Sequence, residues 1–128
     1  MSEFIKGMDL STLPEVERCG GTFRDRGIPG DAVEILKSYG MNMVRLRLWN
    51  DPYSPQGAPY GAGTNDLSTT LAMARRLRRA GVPWLLDFHY SDFWADPGKQ
   101  NIPKAWAGLD AVGLEAAVYD YTLGVLEA

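Results

Sequence analysis

The stretch Leu85-Leu86-Asp87-Phe88-His89-Tyr90-Ser91-Asp92-Phe93-Trp94-Ala95-Asp96-Pro97 holds the only histidine of the chain, three aspartates, a tyrosine and a tryptophan. It begins as an apolar strand and ends as a loop. Its carboxylates and imidazole suit the hydroxyls of a sugar, and its rings suit stacking on a pyranose face. In parallel α/β folds active sites are built where strands pass into loops. A second such stretch is Val44-Arg45-Leu46-Arg47-Leu48-Trp49-Asn50. Side chains alternate along a strand, so its leucines face one way and its arginines the other. A strand covered by helices turns its apolar face outward. The arginines then point inward, which is costly unless carboxylates or a ligand meet them. Asp87 and His89 share one phase of their strand and Asp9 ends the first. Asp9, Arg45, Arg47, Asp87 and His89 are therefore predicted to converge on one polar centre. A purely structural ion-pair network is the competing reading.

The elements that must place these residues are three strand-then-helix units. The first strand is predicted over Phe4 to Asp9, followed by a loop rich in Gly and Pro. A helix follows around Asp31 to Tyr39, with Asp31 and Glu34 at capping-box-like spacing and Gly40 as its stop. The second strand is Asn42 to Leu48 and its loop runs from Trp49 to about Asp66. The next helix spans about Leu67 to Ala80, with an apolar stripe of Leu67, Leu71, Ala74 and Leu77. Four arginines crowd its end, where positive charge suits the helix dipole. The third strand is Trp84 to His89. After a loop reaching about Asp110, a last helix begins near Gly113 with the stripe Leu114, Val118, Tyr121 and Val125. Helices between strands imply parallel pairing. The loops after the second and third strands are far longer than the usual few residues, which points to function.

Composition narrows the chemistry. A net charge of −3 over 128 residues gives no electrostatic case for nucleic acid or an anionic membrane surface. No apolar run approaches the roughly 18 residues of a membrane span. The start, Met1-Ser2-Glu3-Phe4, shows no basic or apolar leader stretch, and location stays open. Cys19 is alone, so neither a disulfide nor a cysteine metal site is expected. His89 has no second histidine beside it to make ligand spacing, so no metal is expected. Lys6-Gly7-Met8-Asp9-Leu10-Ser11 lacks both nucleotide-binding glycine patterns, and no cofactor is expected. The chain stops within a helical pattern, at Leu126-Glu127-Ala128, and three parallel strands leave two bare edges. It is therefore expected to be part of a longer protein, and to aggregate or dimerise if made alone. The inner faces of Met43 and Val44, together with unneutralised Arg45 and Asp87, are expected to lie bare.

Three segments carry a resemblance. Phe4 to Ser11, Gly40 to Pro52 and Asp87 to Gln100 resemble the first three strand ends of the arabinogalactan endo-β-1,4-galactanases, glycoside hydrolase family 53. These belong to the clan of (β/α)8-barrel retaining glycosidases. Pro103-Lys104-Ala105-Trp106 is similar to the family's Pro-x-x-Trp segment. The resemblance implies an α/β fold, a (β/α)8 TIM barrel. Residues 1–128 would be its N-terminal three βα units, within a single, incomplete glycosidase barrel domain. It implies hydrolysis of β-1,4-galactan with retention of configuration, by an acid/base and a nucleophile glutamate ending strands four and seven. Both glutamates are expected to lie beyond Ala128, with strand four soon after it. The chain is therefore expected to hold no catalytic residue and to be inactive alone. Arg45 matches the arginine that braces the nucleophile, and His89 the histidine lining the cleavage subsite. Asp9, Asp87, Asp92 and Trp94 would bind substrate, with Trp49 and Asn50 at the rim. Two alternatives remain: a non-catalytic carbohydrate-binding or pseudo-enzyme fragment, and a related barrel acting on mannan or cellulose.

Overall fold

The computed structural model describes residues 4–128. Its centre is strand β4 (Met43–Leu48), whose alternation sorts the molecule into two faces. Val44, Leu46 and Leu48 are essentially free of solvent contact. They face the helices, and Val44 and Leu46 share a core with Leu13, Val33, Met73, Leu77 and Val82. β1 (Gly7–Asp9) pairs with one edge of β4 and β5 (Trp84–Phe88) with the other, all parallel. The register sets Asp9 beside Arg45, and Asp87 beside Arg47. Residues in register share a face, so the acids of the outer strands and the arginines of the middle one lie on the side away from the helices.

The helices have capping chemistry that the sequence supplies locally. α2 (Ala32–Ser38) starts at Asp31, whose carboxylate accepts from the backbone N–H of Val33 and Glu34. α3 (Leu67–Ala80) starts at Asp66 and ends at Gly81, which takes the left-handed conformation. α4 (Ala111–Glu127) starts at Asp110, whose carboxylate accepts from Gly113. Along α4 the predicted stripe holds: Leu114, Val118 and Tyr121 are half-buried and Val125 is buried. The helical pattern runs up to Ala128, whose N–H donates to the Val125 carbonyl at 3.4 Å.

The structure differs from expectation in three places. The first strand pairs over Gly7–Asp9 only. Ahead of it the chain is tied to one side chain, with Asn42 accepting from the Lys6 N–H at 2.7 Å and donating to the Phe4 carbonyl at 3.0 Å. The Gly- and Pro-rich loop contains a short helix α1 (Leu13–Arg18) and a hairpin of β2 (Phe23–Asp25) and β3 (Ile28–Gly30). Its two-residue turn, Arg26-Gly27, has positive φ at both positions, the backbone that matches strand twist. Val44, expected bare, is fully buried because it shares the phase of Leu46.

Arg76 stands apart from the other arginines of α3. Its guanidinium donates to both carboxylate oxygens of Glu17 at 2.8 Å and to Asp31 at 2.6 Å, joining α1, α2 and α3. The Glu17 hydrogen bonds raise its pKa further, against the opposing effect of burial.

Two outcomes follow from this packing. Leu77 is fully buried at the centre of the core, so Leu77→Ala should cost about 2–5 kcal/mol, read as a lowered urea midpoint. Asp66 feels burial, which raises its pKa, but the Tyr53 hydroxyl at 2.6 Å and the Thr69 N–H at 2.7 Å outweigh it and hold the carboxyl below its ordinary value. A depressed folded pKa gives stability that is present above the unfolded value of about 4 and lost as pH falls through the folded one. Asp66→Asn should therefore flatten the acid limb of a stability-against-pH curve below about pH 4.

Candidate active site

On the face away from the helices Arg45 is the hub. One terminal nitrogen donates to Asp9 at 2.7 Å and the other to Asp87. Asp9 also accepts from the Ser11 N–H at 2.9 Å, which fixes its carboxylate at the end of β1. The Arg45 side chain stays 42% exposed, so its guanidinium is held yet open to a ligand. The expected bare charges are thus neutralised by each other: the parallel register brings both acids within reach of one arginine. Arg47, in contrast, is buried. Its guanidinium lies 4.1 Å from the centre of the Trp94 ring and 5.9 Å from that of Trp49. Its Nε is 3.9 Å from Asp9 and, among the described residues, has no hydrogen-bond partner. Burial lowers the Arg47 pKa, the Asp9 charge opposes this, and neighbouring Arg45 adds to the lowering.

His89 follows β5, with its N–H donating to the Leu48 carbonyl at 3.0 Å. Its ring lies between the Trp49 indole N–H, 3.0 Å from Nδ1, and Asp87, 3.2 Å from Nε2. Trp94 keeps 39% of its surface open, with Arg47 against its ring. Trp49 does not sit at the rim as expected. It has no exposed surface and is wedged against Phe93 and Trp94, with ring centres 5.0 and 5.6 Å away. Alternation puts it in phase with the arginines, but the loop after β5 folds over it. It has no ring face left for a sugar.

Asn50 is half-buried, and its N–H donates to the Ser91 carbonyl at 2.9 Å. Asp92 also departs from the simple expectation. One oxygen accepts from the Asp51 N–H at 3.0 Å, and the other from the Lys104 N–H at 2.8 Å and the Lys104 ammonium at 2.9 Å. These bonds occupy most of a carboxylate's acceptor capacity, so Asp92 ties the two loops together. Nothing in the sequence marks Lys104 as the other half of that clamp. Its ammonium also reaches the Asp51 carbonyl at 2.7 Å and lies 5.1 Å from the Tyr60 ring centre. Burial lowers its pKa, but Asp92, Tyr60 and Asp51 outweigh this and hold it above the ordinary lysine value. No local pattern announces such a residue; only its place just after Pro103 sets it under both loops.

Tyr90 has φ of 47°, in the left-handed region that favours glycine. This turn separates His89, which faces the arginines, from Tyr90, which faces α4. The Tyr90 ring stacks on Phe88 with centres 5.4 Å apart, and its hydroxyl bonds Thr122 at 2.9 Å. Trp106 and Tyr121 join the same cluster. Beside Arg45, Asp87 and His89 a cleft of about 640 Å³ opens toward Asp96, Gln100 and Trp106. Among the described residues no three His, Cys, Asp or Glu side chains gather as a metal would need.

The Lys104 clamp makes a local prediction. Lys104→Met removes the ammonium bonds to Asp92 and Asp51 while leaving the core untouched. Amide hydrogen exchange should speed up at Asp51 and along the loop from Asp92 to Trp106. Global stability should fall by no more than about 1 kcal/mol, because the Lys104 side chain is 40% exposed and Asp92 keeps its two backbone N–H donors.

Known proteins resemble this chain in sequence and in fold. Residues 5–128 match the profile of Glycosyl hydrolase family 53. The endo-beta-1,4-galactanase of Bacillus subtilis (strain 168) is 46% identical over 94% of this chain and 28% of its own length. The arabinogalactan endo-beta-1,4-galactanase of Cellvibrio japonicus (strain Ueda107) is 44% identical over 96% of this chain and 31% of its own. The solved GH53 catalytic domain of Ignisphaera aggregans superposes with a TM-score of 0.94 at 47% identity, covering 97% of this chain and 35% of that one. The chain thus spans about a third of the length of the relatives it matches. Its parallel strands and covering helices are three βα units of the TIM barrel that these relatives share. A match running from the first strand to the last helix leaves one assignment: the chain belongs to Glycosyl hydrolase family 53.

Proposed function

We propose that this chain forms one wall of the cleft of an endo-β-1,4-galactanase. The enzyme hydrolyses the β-1,4-galactan backbone of arabinogalactan and pectic side chains with retention of configuration. Residues 1–128 are its N-terminal three βα units, within a single barrel domain. The observation that carries the reading is Arg45. It is a guanidinium fixed by two carboxylates yet open to the cleft at the strand ends of a family 53 sheet. A retaining glycosidase needs a nucleophilic carboxylate kept ionised during attack, and an adjacent guanidinium does that. Arg45 is already ordered by Asp9 and Asp87, so it loses little freedom when it meets that group. Trp94 offers its open surface to a sugar ring, and Arg47 behind it holds the indole in place through a cation–π contact. His89 and Asp87 line the same subsite.

In this reading none of the described glutamates belongs to the catalytic pair, two carboxylates about 5–5.5 Å apart. Glu15 accepts from the Gly63 N–H, and Glu17 pairs with Arg76. Glu34 lies on α2, and Glu115 and Glu127 on α4. No described strand of the parallel sheet ends in a glutamate. In the galactanase reading both acids therefore belong to the rest of the barrel, for which the relatives' greater length leaves room. The same observation favours a second reading, carbohydrate binding without catalysis.

Reducing-end assays of the purified 128-residue chain on β-1,4-galactan should show no turnover above buffer. Clear hydrolysis would place the catalytic acids before Ala128 and overturn the assignment of roles. Calorimetry with galactan oligosaccharides should show weak binding, of order 1 mM or about −4 kcal/mol. Trp94→Ala should abolish that binding. Preference for manno- or cello-oligosaccharides would replace galactan as the substrate.

A further inference from the structure

The ring of the single histidine, His89, is engaged at both nitrogens by partners of fixed character. An indole N–H only donates and a carboxylate only accepts. Trp49 donates to Nδ1 at 3.0 Å, so that nitrogen presents a lone pair. Asp87 lies 3.2 Å from Nε2, so that nitrogen carries the proton. The two partners act on opposite sides of the ring and select the same tautomer independently. Trp49 is itself immobilised. Its backbone N–H donates to the Asn65 carbonyl at 2.8 Å, its carbonyl accepts from the Tyr121 hydroxyl at 3.2 Å, and its ring is packed against Phe93 and Trp94.

We propose that Trp49 is a positioning residue that locks His89 as the neutral Nε2–H tautomer and through it aims the Asp87 carboxylate at Arg45. Donation runs from Trp49 to His89 and on to the Oδ2 atom of Asp87, which also accepts from Arg45, whose other terminal nitrogen donates to Asp9. An imidazolium carries N–H groups on both nitrogens and would set one donor against another at Trp49. That indole has no surface in water, so its N–H would lose its partner with nothing to replace it. Among the described residues the charged groups nearest the ring are Asp87, which it bonds, and Arg45 on β4, which bonds the same carboxylate, with Asp96 lining the same cleft. His89 therefore serves as a fixed neutral hydrogen-bond donor and does not carry protons to or from a substrate. The consequence for Arg45 as a nucleophile brace rests on the galactanase reading; the tautomer does not.

The single histidine makes the test direct. In the 128-residue chain labelled with ¹⁵N at histidine and tryptophan, two-bond ¹H–¹⁵N spectra at neutral pH should show Nδ1 in the unprotonated range and Nε2 in the protonated range. A scalar coupling should cross the hydrogen bond from the Trp49 indole nitrogen to Nδ1. Magic-angle spinning reads the same signals if the chain self-associates. Trp49→Phe keeps an aromatic ring and removes the N–H. The coupling should vanish, and the ratio of Nε2–H to Nδ1–H tautomer should fall by about tenfold, the scale of one net hydrogen bond. Trp94→Phe, which neighbours the same imidazole without bonding it, should leave the ratio unchanged. A wild-type ring found as the Nδ1–H tautomer or as imidazolium overturns the proposal, whether or not the variants fold. An unchanged ratio in a folded Trp49→Phe does the same. Neither result bears on galactan hydrolysis, whose failure would in turn leave the tautomer standing.

Discussion

The guanidinium of Arg45 joins all three parallel strands on the face that the helices leave open. It sits in β4 and reaches Asp9 on β1 and Asp87 on β5. Parallel register alone would set two carboxylates along a polar face, with nothing to relieve their charge. One arginine between them turns that repulsion into two charge-assisted bonds. The site is open to water, so the gain in stability is small. What the arrangement secures is geometry: the guanidinium plane, both carboxylates and the imidazole behind Asp87 hold one another in orientation. A rigid sheet thereby presents charge in a defined direction, which is the condition for electrostatic work on a substrate.

The loops above this centre are held by polar bonds more than by apolar packing. Buried backbone must find partners, and here it finds side chains. Ser11 accepts from the Arg47 N–H at 2.8 Å, Asp92 takes N–H groups from two segments, and Glu15 takes the Gly63 N–H. Gly63 shows how closely these segments meet. Its φ is +99°, and a Cβ there would stand 2.6 Å from the Ser11 carbonyl oxygen. Only glycine fits both the backbone conformation and the gap. The long loops are therefore tied to each other and to the end of β1, and the one after β5 lines the cleft.

Strand periodicity made the polar centre legible in the sequence, because alternation is a geometric necessity and a run of arginine and leucine has few solutions. The helices were legible through Asp31, whose capping role is local, and through the apolar stripes of α3 and α4. What alternation does not encode is which chain segment lies over a side chain. Trp49 and Asp92 face the expected way, yet neighbouring loops claim them: Phe93 and Trp94 cover the first, and Lys104 engages the second. Lys104 itself lies far along the sequence from Asp51, and no periodicity links the two. The β2–β3 hairpin escaped for another reason. Its turn is Arg26-Gly27 rather than the usual Asn-Gly, and Pro29 weakens the strand signal of β3. The resemblance to family 53 added what no spacing contained, the expected place of the catalytic acids.

The two faces of the sheet are built on different terms. Toward the helices, Val44, Leu46, Val33, Met73 and Leu77 make a dry core that includes no charge. Toward the cleft, charges satisfy one another, and Leu85, on the same face, remains 56% exposed. α4 belongs to neither arrangement. It reaches the sheet through Phe88, Tyr90, Trp106 and Tyr121 and leaves Val112, Tyr119, Leu123 and Leu126 in water. Folding energy thus comes mostly from one side, while the other side gathers the charged groups. Because the dry face does not depend on the arginines, the polar face is free to specialise. Two features at the strand ends, left-handed Tyr90 on the α4 side and the Nε of Arg47 on the polar side, without a partner among the described residues, sit where a stability-driven design would not put them. Strain and an unmet polar group at the strand ends are features for which a functional role of this end of the sheet would account.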